Sequence, residues 1–162
     1  MSPNDVIRQV VEFCHEVTRS YVHDLDEADL LVRSVPGTNH IAWQLGHLIS
    51  STHYFLRELG HEPPALPAGF AERHTKETAA SDDRAAFLAK SEYLALAEQM
   101  KAATLAAIDA TPESTLAEPG PESMREFAPT VAAAITLTGT HWLMHAGQFV
   151  PVRRKLGKPA LF

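Results

Sequence analysis

The stretch TLTGTHWLMHAGQFV at residues 136–150 decides the fold, because winding it as a helix separates an apolar side from a polar one. The surrounding segment, 131–156, has no breaker before Pro151 and predicts a long α-helix. Its apolar stripe consists of Ile135, Gly139, Trp142, Ala146 and Phe149. Its polar stripe consists of Thr138, His141, His145 and Gln148. A helix with this pattern must bury one face against other helices.

A second segment, NHIAWQLGHL at residues 39–48, carries the same double pattern. We expect a helix over 41–59, with Asn39 as its N-cap and Gly60 as its stop. Beside its apolar stripe run hydrogen-bonding side chains at helical spacing, namely His40, Gln44, His47, Ser51 and Tyr54. A solvated face normally carries Lys and Glu, so this stripe predicts a polar interior shared between two helices.

Two further helices follow from the same spacing rules. The first is predicted to begin at Ser2, with Pro3 in its first turn. Its inward positions are Ile7, Val10, Cys14, Val17 and Tyr21, and its solvated face holds Arg8, Glu12, His15 and Arg19. The third is predicted from Ser91 to Ala110, with Ser81 as the alternative cap, after a long proline-rich connection. Four helices without a strand pattern predict an all-α four-helix bundle.

Bulk composition restricts the classes of function. The chain has 162 residues, a formal net charge of −6 and a pI near 5.8. We therefore expect one domain over 1–162 and no surface for nucleic acid, which needs a basic patch. The sequence shows no bilayer-spanning apolar run and no leader pattern, so neither a membrane nor secretion is expected. The single cysteine, Cys14, excludes a cysteine-based zinc cluster and favours the cytosol.

The histidines suggest a metal site. His141 and His145 lie one helical turn apart, and His47 lies on the matching stripe of the other helix. Three neutral imidazoles around a divalent ion leave coordination positions open for water or substrate. Alternatively, the pair on the last helix is a polar core element satisfied by backbone or by Gln148. His40 is either a pocket residue or part of the surface at a helix start.

A di-iron site is the competing metal hypothesis. The Glu-x-x-His element of di-iron bundles occurs at Glu12 with His15 and at Glu58 with His61. The geometry argues against it, because the first pair lies on the predicted charged face. Gly60 separates the second pair at a predicted helix end.

With these residues in view, the chain resembles the DinB superfamily over nearly its whole length. The resemblance rests on NxxxWxxGHL at 39–48, HxxxHxGQ at 141–148 and RRxLG at 153–157. It implies a four-helix bundle with up-down-down-up connectivity, the long second connection permitting the parallel middle step. It also implies a divalent metal ion, nickel or zinc, held by the positions that match His47, His141 and His145.

The resemblance further implies thiol chemistry and homodimers. Characterised relatives include S-transferases that use bacillithiol and isomerases that use mycothiol. The leading hypothesis is a metal-dependent transferase, in which a low-molecular-weight thiol attacks a small electrophilic substrate. Metal-assisted hydrolysis and a non-catalytic metal-binding bundle are the alternatives. The candidate pocket residues are His40, Gln44, Tyr54 and Gln148.

Overall fold

The computed structural model describes residues 1–161, and four α-helices carry the fold in that range. The helices are α1 (Pro3–His23), α2 (Ile41–Glu58), α3 (Lys90–Ala110) and α4 (Val131–Lys155). Short 3-10 turns occupy the connections, at Asp29–Leu31, Glu72–His74, Lys76–Thr78, Arg84–Ala86, Glu113–Thr115 and Glu122–Met124. The predicted all-α bundle is confirmed. None of the described helices is both long and apolar enough to cross a bilayer.

Helices α1 and α4 run parallel. Near their middles, an added Cβ on Gly139 would lie 2.8 Å from the Cα of Val11, so the two backbones are in close contact there. Towards both carboxyl ends, Arg153 donates to the carbonyl of Tyr21 over 2.9 Å. The contact positions therefore rise together along the two chains. Gly139 provides the close approach that a side chain at this position would prevent.

Among the other neighbouring helices, two pairs run antiparallel and one pair runs parallel. Helix α3 opposes α1, since its first residue, Lys90, reaches the carbonyl of His23 at the end of α1. Helix α2 opposes α4, since Thr52 bonds Trp142 while the earlier Gln44 bonds the later His145. It follows that α2 and α3 run parallel. The up-down-down-up connectivity is confirmed.

The start of α1 is as predicted, whereas the start of α2 differs. Ser2 caps α1 in a reciprocal capping box, with its hydroxyl accepting from Asp5 N–H and the Asp5 carboxylate accepting from Ser2 N–H. The predicted cap Asn39 is wrong, because His40 caps α2 instead. Nδ1 of His40 accepts a hydrogen bond from the backbone N–H of Trp43 over 3.0 Å.

Helix α3 begins one residue before the predicted position. Its N-cap is Ala89, whose backbone N–H donates to the Glu92 carboxylate over 2.8 Å. Neither Ser91 nor the alternative Ser81 caps the helix. The Glu92 carboxylate satisfies an N–H group at the helix start without a capping hydroxyl. Looking for a serine N-cap therefore misplaces the beginning of α3.

The long second connection, residues 59–89, returns the chain to the end of the bundle from which α2 started. Helix α2 has 18 residues and is about 27 Å long, and the connection must cover that span. Phe70, His74 and Phe87 of the connection are buried. The connection therefore packs as part of the core and closes over α2 and α3.

Two polar residues of α1 and α4 are deeply buried. The prediction that His15 lies on a solvated face is wrong, because its side chain is 6% exposed and its ring lies 4.5 Å from that of Trp142. Arg153 is 0% exposed, and it bonds the carbonyls of Tyr21 and Pro159 as well as the Asp24 carboxylate. Arg153 thus joins the ends of α1 and α4.

Candidate metal centre

Three histidines converge between α2 and α4. His47 comes from α2, and His141 and His145 come from successive turns of α4. One ring nitrogen from each lies within 4.8 Å of the others. The ring centroids are 5.2, 5.2 and 4.9 Å apart, which makes a nearly equilateral triangle. We call these residues the histidine triad.

Gln44 fixes the orientation of one triad imidazole. Its amide nitrogen donates to the carbonyl of Asn39 over 2.8 Å, so its Oε1 faces the other way. Nδ1 of His145 lies 2.8 Å from that Oε1, which can only accept, and therefore carries the proton. The lone pair of neutral His145 is then on Nε2. A carbonyl oxygen that holds the opposite ring nitrogen is the usual support for a metal-binding histidine.

The other two imidazoles are held by aromatic contacts. The His47 ring stacks on Trp43 with 5.1 Å between centroids and 4° between planes. The Trp43 indole N–H in turn donates to the carbonyl of Thr75 over 3.1 Å, so the second connection holds the indole against which His47 stacks. The His141 ring lies 5.9 Å from that of Phe55.

His141 has an orphaned nitrogen. Its Nδ1 is buried and has no hydrogen-bond partner in the described part of the chain. Burying a polar atom without a partner is costly, so such an atom calls for an explanation. A bound cation would provide one. The residues of the triad therefore fit a metal ion.

Burial keeps the triad neutral. It lowers the pKa of His141 to about 4, with the neighbouring His47 contributing, and that of His145 to about 3, with both triad neighbours contributing. Burial also lowers the pKa of His47, and the Lys76 ammonium adds to this effect. Neutral imidazoles offer the lone pairs that a metal ion requires.

The ligand set contains no acidic group. Among the described residues, the only cluster able to hold a metal ion is the histidine triad. Cys14 is buried in α1, where burial raises the pKa of its thiol. An ion held by the triad would keep its full positive charge, because all three ligands are neutral. It would also have free coordination positions.

The four candidate pocket residues lie in different places. Gln44 contacts the triad directly. Tyr54 is 45% exposed, seven residues after His47 on the same face of α2. Gln148 is exposed, one turn after His145 on α4.

His40 is fully buried and already engaged on both ring nitrogens. Nδ1 accepts from the Trp43 backbone, and Nε2 donates to the carbonyl of Ser81 over 3.0 Å. Neither nitrogen is free for a ligand. His40 therefore caps α2 and anchors the second connection to it.

Sequence reasoning missed His74. Its Nδ1 donates to the carbonyl of Phe70 and its Nε2 accepts from the Tyr93 hydroxyl, both over 2.7 Å, while that hydroxyl accepts from Leu88 N–H. The ring covers the backbone of α2 at Gly46, where an added Cβ would lie 2.1 Å from it. Gly46 inside α2 was the available signal of a close contact, but the sequence does not indicate that His74 makes that contact.

Comparison with known proteins places the chain in a family. The family model described as the DinB superfamily matches residues 11–149. The chain belongs to the DinB superfamily. A comparison with curated proteins gave no significant match.

A solved structure shares the fold. The crystal structure of a protein from Enterococcus faecalis, described as a conserved protein of locus, is 18% identical with a TM-score of 0.72. The match covers 98% of this chain and 99% of the other. At this identity the likeness shows the fold alone. The DinB superfamily is associated with metals, and this member has a triad that can hold a metal ion.

Proposed function

We propose that this DinB protein is a metal-dependent enzyme. It binds nickel or zinc through His47, His141 and His145, and joins a small electrophile to the sulfur of a low-molecular-weight thiol. The observation that carries the proposal is the approach of three neutral imidazole nitrogens to within 4.8 Å of one another. The orphaned Nδ1 of His141 and the Gln44 contact to His145 support the metal assignment.

The ligand set favours a thiol as co-substrate. When bound, a divalent ion would lower the pKa of a coordinated thiol, so that the sulfur would be a thiolate near neutral pH. The triad contributes no negative charge that would compete with an anionic sulfur. Gln44 holds the His145 lone pair away from itself and towards the site.

The transfer balances without a redox partner. The sulfur forms a bond to an electrophilic carbon, and the leaving group departs with the bonding electron pair. The thiol proton passes to solvent. Tyr54 and Gln148 are proposed to contact the substrate.

Hydrolysis has less support. A metal-assisted hydrolase needs a general base beside its activated water. The triad cluster holds no carboxylate among the described residues, and its imidazoles are all proposed ligands. A bundle that binds metal without turnover remains an outcome of the experiment below.

The test combines metal analysis with an activity assay. The protein, His141→Ala and the control His53→Ala are purified, loaded with nickel or zinc, and freed of loosely held ion. We expect the protein and the control to retain about one ion per chain, and His141→Ala to lose it. His53 suits the control because it lies on α2 outside the triad. Equal metal content in all three would remove His141 from the ligand set.

Activity is measured with 1-chloro-2,4-dinitrobenzene and each of bacillithiol, mycothiol, glutathione and coenzyme A. We expect at least one thiol to give a conjugate at a rate that depends on both the metal and His141. Metal retention without any conjugate would favour the non-catalytic alternative. Conjugate formation unaffected by His141→Ala would refute the proposed site.

We also propose a homodimer in the cytosol. Phe13 of α1 and Leu143 of α4 line one shallow apolar surface, and they are 58% and 37% exposed. The lone, unpaired Cys14 suits a reducing compartment. Sedimentation analysis should show a dimer that Phe13→Asp shifts towards monomer. A monomer at all concentrations would rule this surface out as an interface.

A further inference from the structure

A cavity lies between α1 and α3, away from the histidine triad. Its volume is about 380 Å³, within the range of small-molecule sites. The walls come from α1 and α3, neither of which carries a triad histidine. Leu45 of α2 and Trp142 of α4 contribute the inner lining. The cavity therefore faces the opposite side of the α2–α4 pair.

His15 gives this cavity a polar group without a partner. Its side chain lines the cavity and is 6% exposed, and its Nε2 has no hydrogen-bond partner in the described part of the chain. The ring is tilted 36° against Trp142 at a centroid distance of 4.5 Å. Burial lowers the pKa of His15 to about 4, with the Lys101 ammonium adding to the effect, so the ring is neutral at pH 7.

Charges at the cavity mouth cancel within each wall. Glu16 pairs with Arg19 on α1, and Glu98 pairs with Lys101 on α3, each over 3.7 Å. An ionic ligand would find an opposite charge already paired with a neighbour. The mouth therefore favours a ligand without net charge.

We propose that this cavity binds a neutral, flat aromatic molecule of the phenol class. The aromatic body packs on the apolar lining that includes Trp142, and the hydroxyl bonds to the imidazole of His15. A phenol hydroxyl can donate or accept, so it suits either nitrogen of a neutral histidine. Nothing in the proposed thiol reaction requires this site.

The test uses three probes that share one aromatic body. They are 2-naphthol, naphthalene, which lacks the hydroxyl, and 2-naphthoate, which is charged. Binding is followed by NMR on the indole N–H signals of the two tryptophans, assigned with Trp43→Phe. We expect 2-naphthol to bind most tightly and to shift the Trp142 signal. Movement of the Trp43 signal alone would place the ligand at the triad and overturn the proposal.

Two variants separate the hydrogen bond from the cavity. His15→Phe keeps a ring against Trp142 but removes the polar group, so 2-naphthol affinity should fall about three- to tenfold while naphthalene affinity is unchanged. Ala97→Leu fills the cavity from α3 and should abolish binding of all three probes. Phe127→Ser, 59% exposed elsewhere, is the control for adsorption and should bind normally.

The outcomes decide the proposal. Undetectable binding of 2-naphthol, tighter binding of 2-naphthoate, or unchanged binding in Ala97→Leu would each overturn it. Every variant is melted first to confirm folding. If His15→Phe does not fold, the Ala97→Leu result and the ranking of the probes decide alone.

Discussion

Replacing Gly46 with Ala should destabilise the protein, although alanine is the better helix former. The new Cβ would lie 2.1 Å from the His74 ring, which must retreat by at least about 1.4 Å to reach an ordinary contact. The ring is held at both nitrogens, by the Phe70 carbonyl and the Tyr93 hydroxyl, each over 2.7 Å. A displacement of that size breaks both bonds inside the core.

The magnitude follows from those two bonds. Each buried partner left unsatisfied costs about 1–3 kcal/mol, whereas alanine in a helix interior returns about 0.5–1 kcal/mol relative to glycine. We expect a net loss of about 1–5 kcal/mol in the free energy of unfolding. The matched control is Gly147→Ala in α4, where an added Cβ meets nothing within 4 Å. That variant should be stabilised by about 0.5–1 kcal/mol.

The assay is urea unfolding followed by circular dichroism, carried through a double-mutant cycle with His74→Ala. Without the His74 ring there is room for the Cβ, so Gly46→Ala should become neutral or stabilising in that background. The reasoning fails if Gly46→Ala costs the same with and without His74. It also fails if Gly46→Ala and Gly147→Ala have the same effect.

Three further predictions concern single polar residues. Gln44→Leu should weaken metal affinity about 10- to 100-fold in a chelator competition without unfolding the protein, because His145 loses the acceptor that orients it. Burial lowers the pKa of His15 from 6.5 to about 4, so the unfolded chain takes up this proton at a higher pH than the folded protein does. As the pH falls from 6.5 to 4, the free energy of unfolding of the metal-free protein should therefore decrease by about 1.4 kcal/mol per pH unit from this residue. His15→Phe should reduce that slope, and an unchanged slope would contradict the assignment. Arg153→Met should cost about 2–4 kcal/mol, since it removes the buried hydrogen bonds to the Tyr21 and Pro159 carbonyls and to the Asp24 carboxylate. Exposed Arg154→Met should stay within about 0.5 kcal/mol in the same melts.

Hydrophobic periodicity predicted the features that depend on a single helix. The spacing of Gln44 and His47 put them on one face of α2, and the spacing of His141 and His145 did the same on α4. Two polar stripes that face the interior of an apolar bundle are stable only if they pack against each other, so their convergence was predictable. The cap at Ser2 was predictable as well, because all its partners lie within one turn.

Features that depend on distant segments were not predictable from the spacing alone. His15 belongs to the charged face of α1 by spacing, yet Trp142 of α4 covers it. His40 takes the place of Asn39 as the cap because Ser81, far along the chain, binds its other nitrogen. His74 sits in a connection without periodicity, and only its fit over α2 gives it a role. In each case the deciding partner lies at least 40 residues away or on a separate element.

The two bonds of Gln44 tie metal affinity to local unfolding. One amide group spans from the Asn39 carbonyl, at the start of α2, to a triad imidazole on α4. Fraying of that first turn would release the imidazole, and an occupied triad would in turn resist the fraying. Amide hydrogen exchange in the opening turn of α2 should therefore slow when the ion binds. The factor should equal the ratio of the metal affinity with this turn ordered to the metal affinity with it frayed.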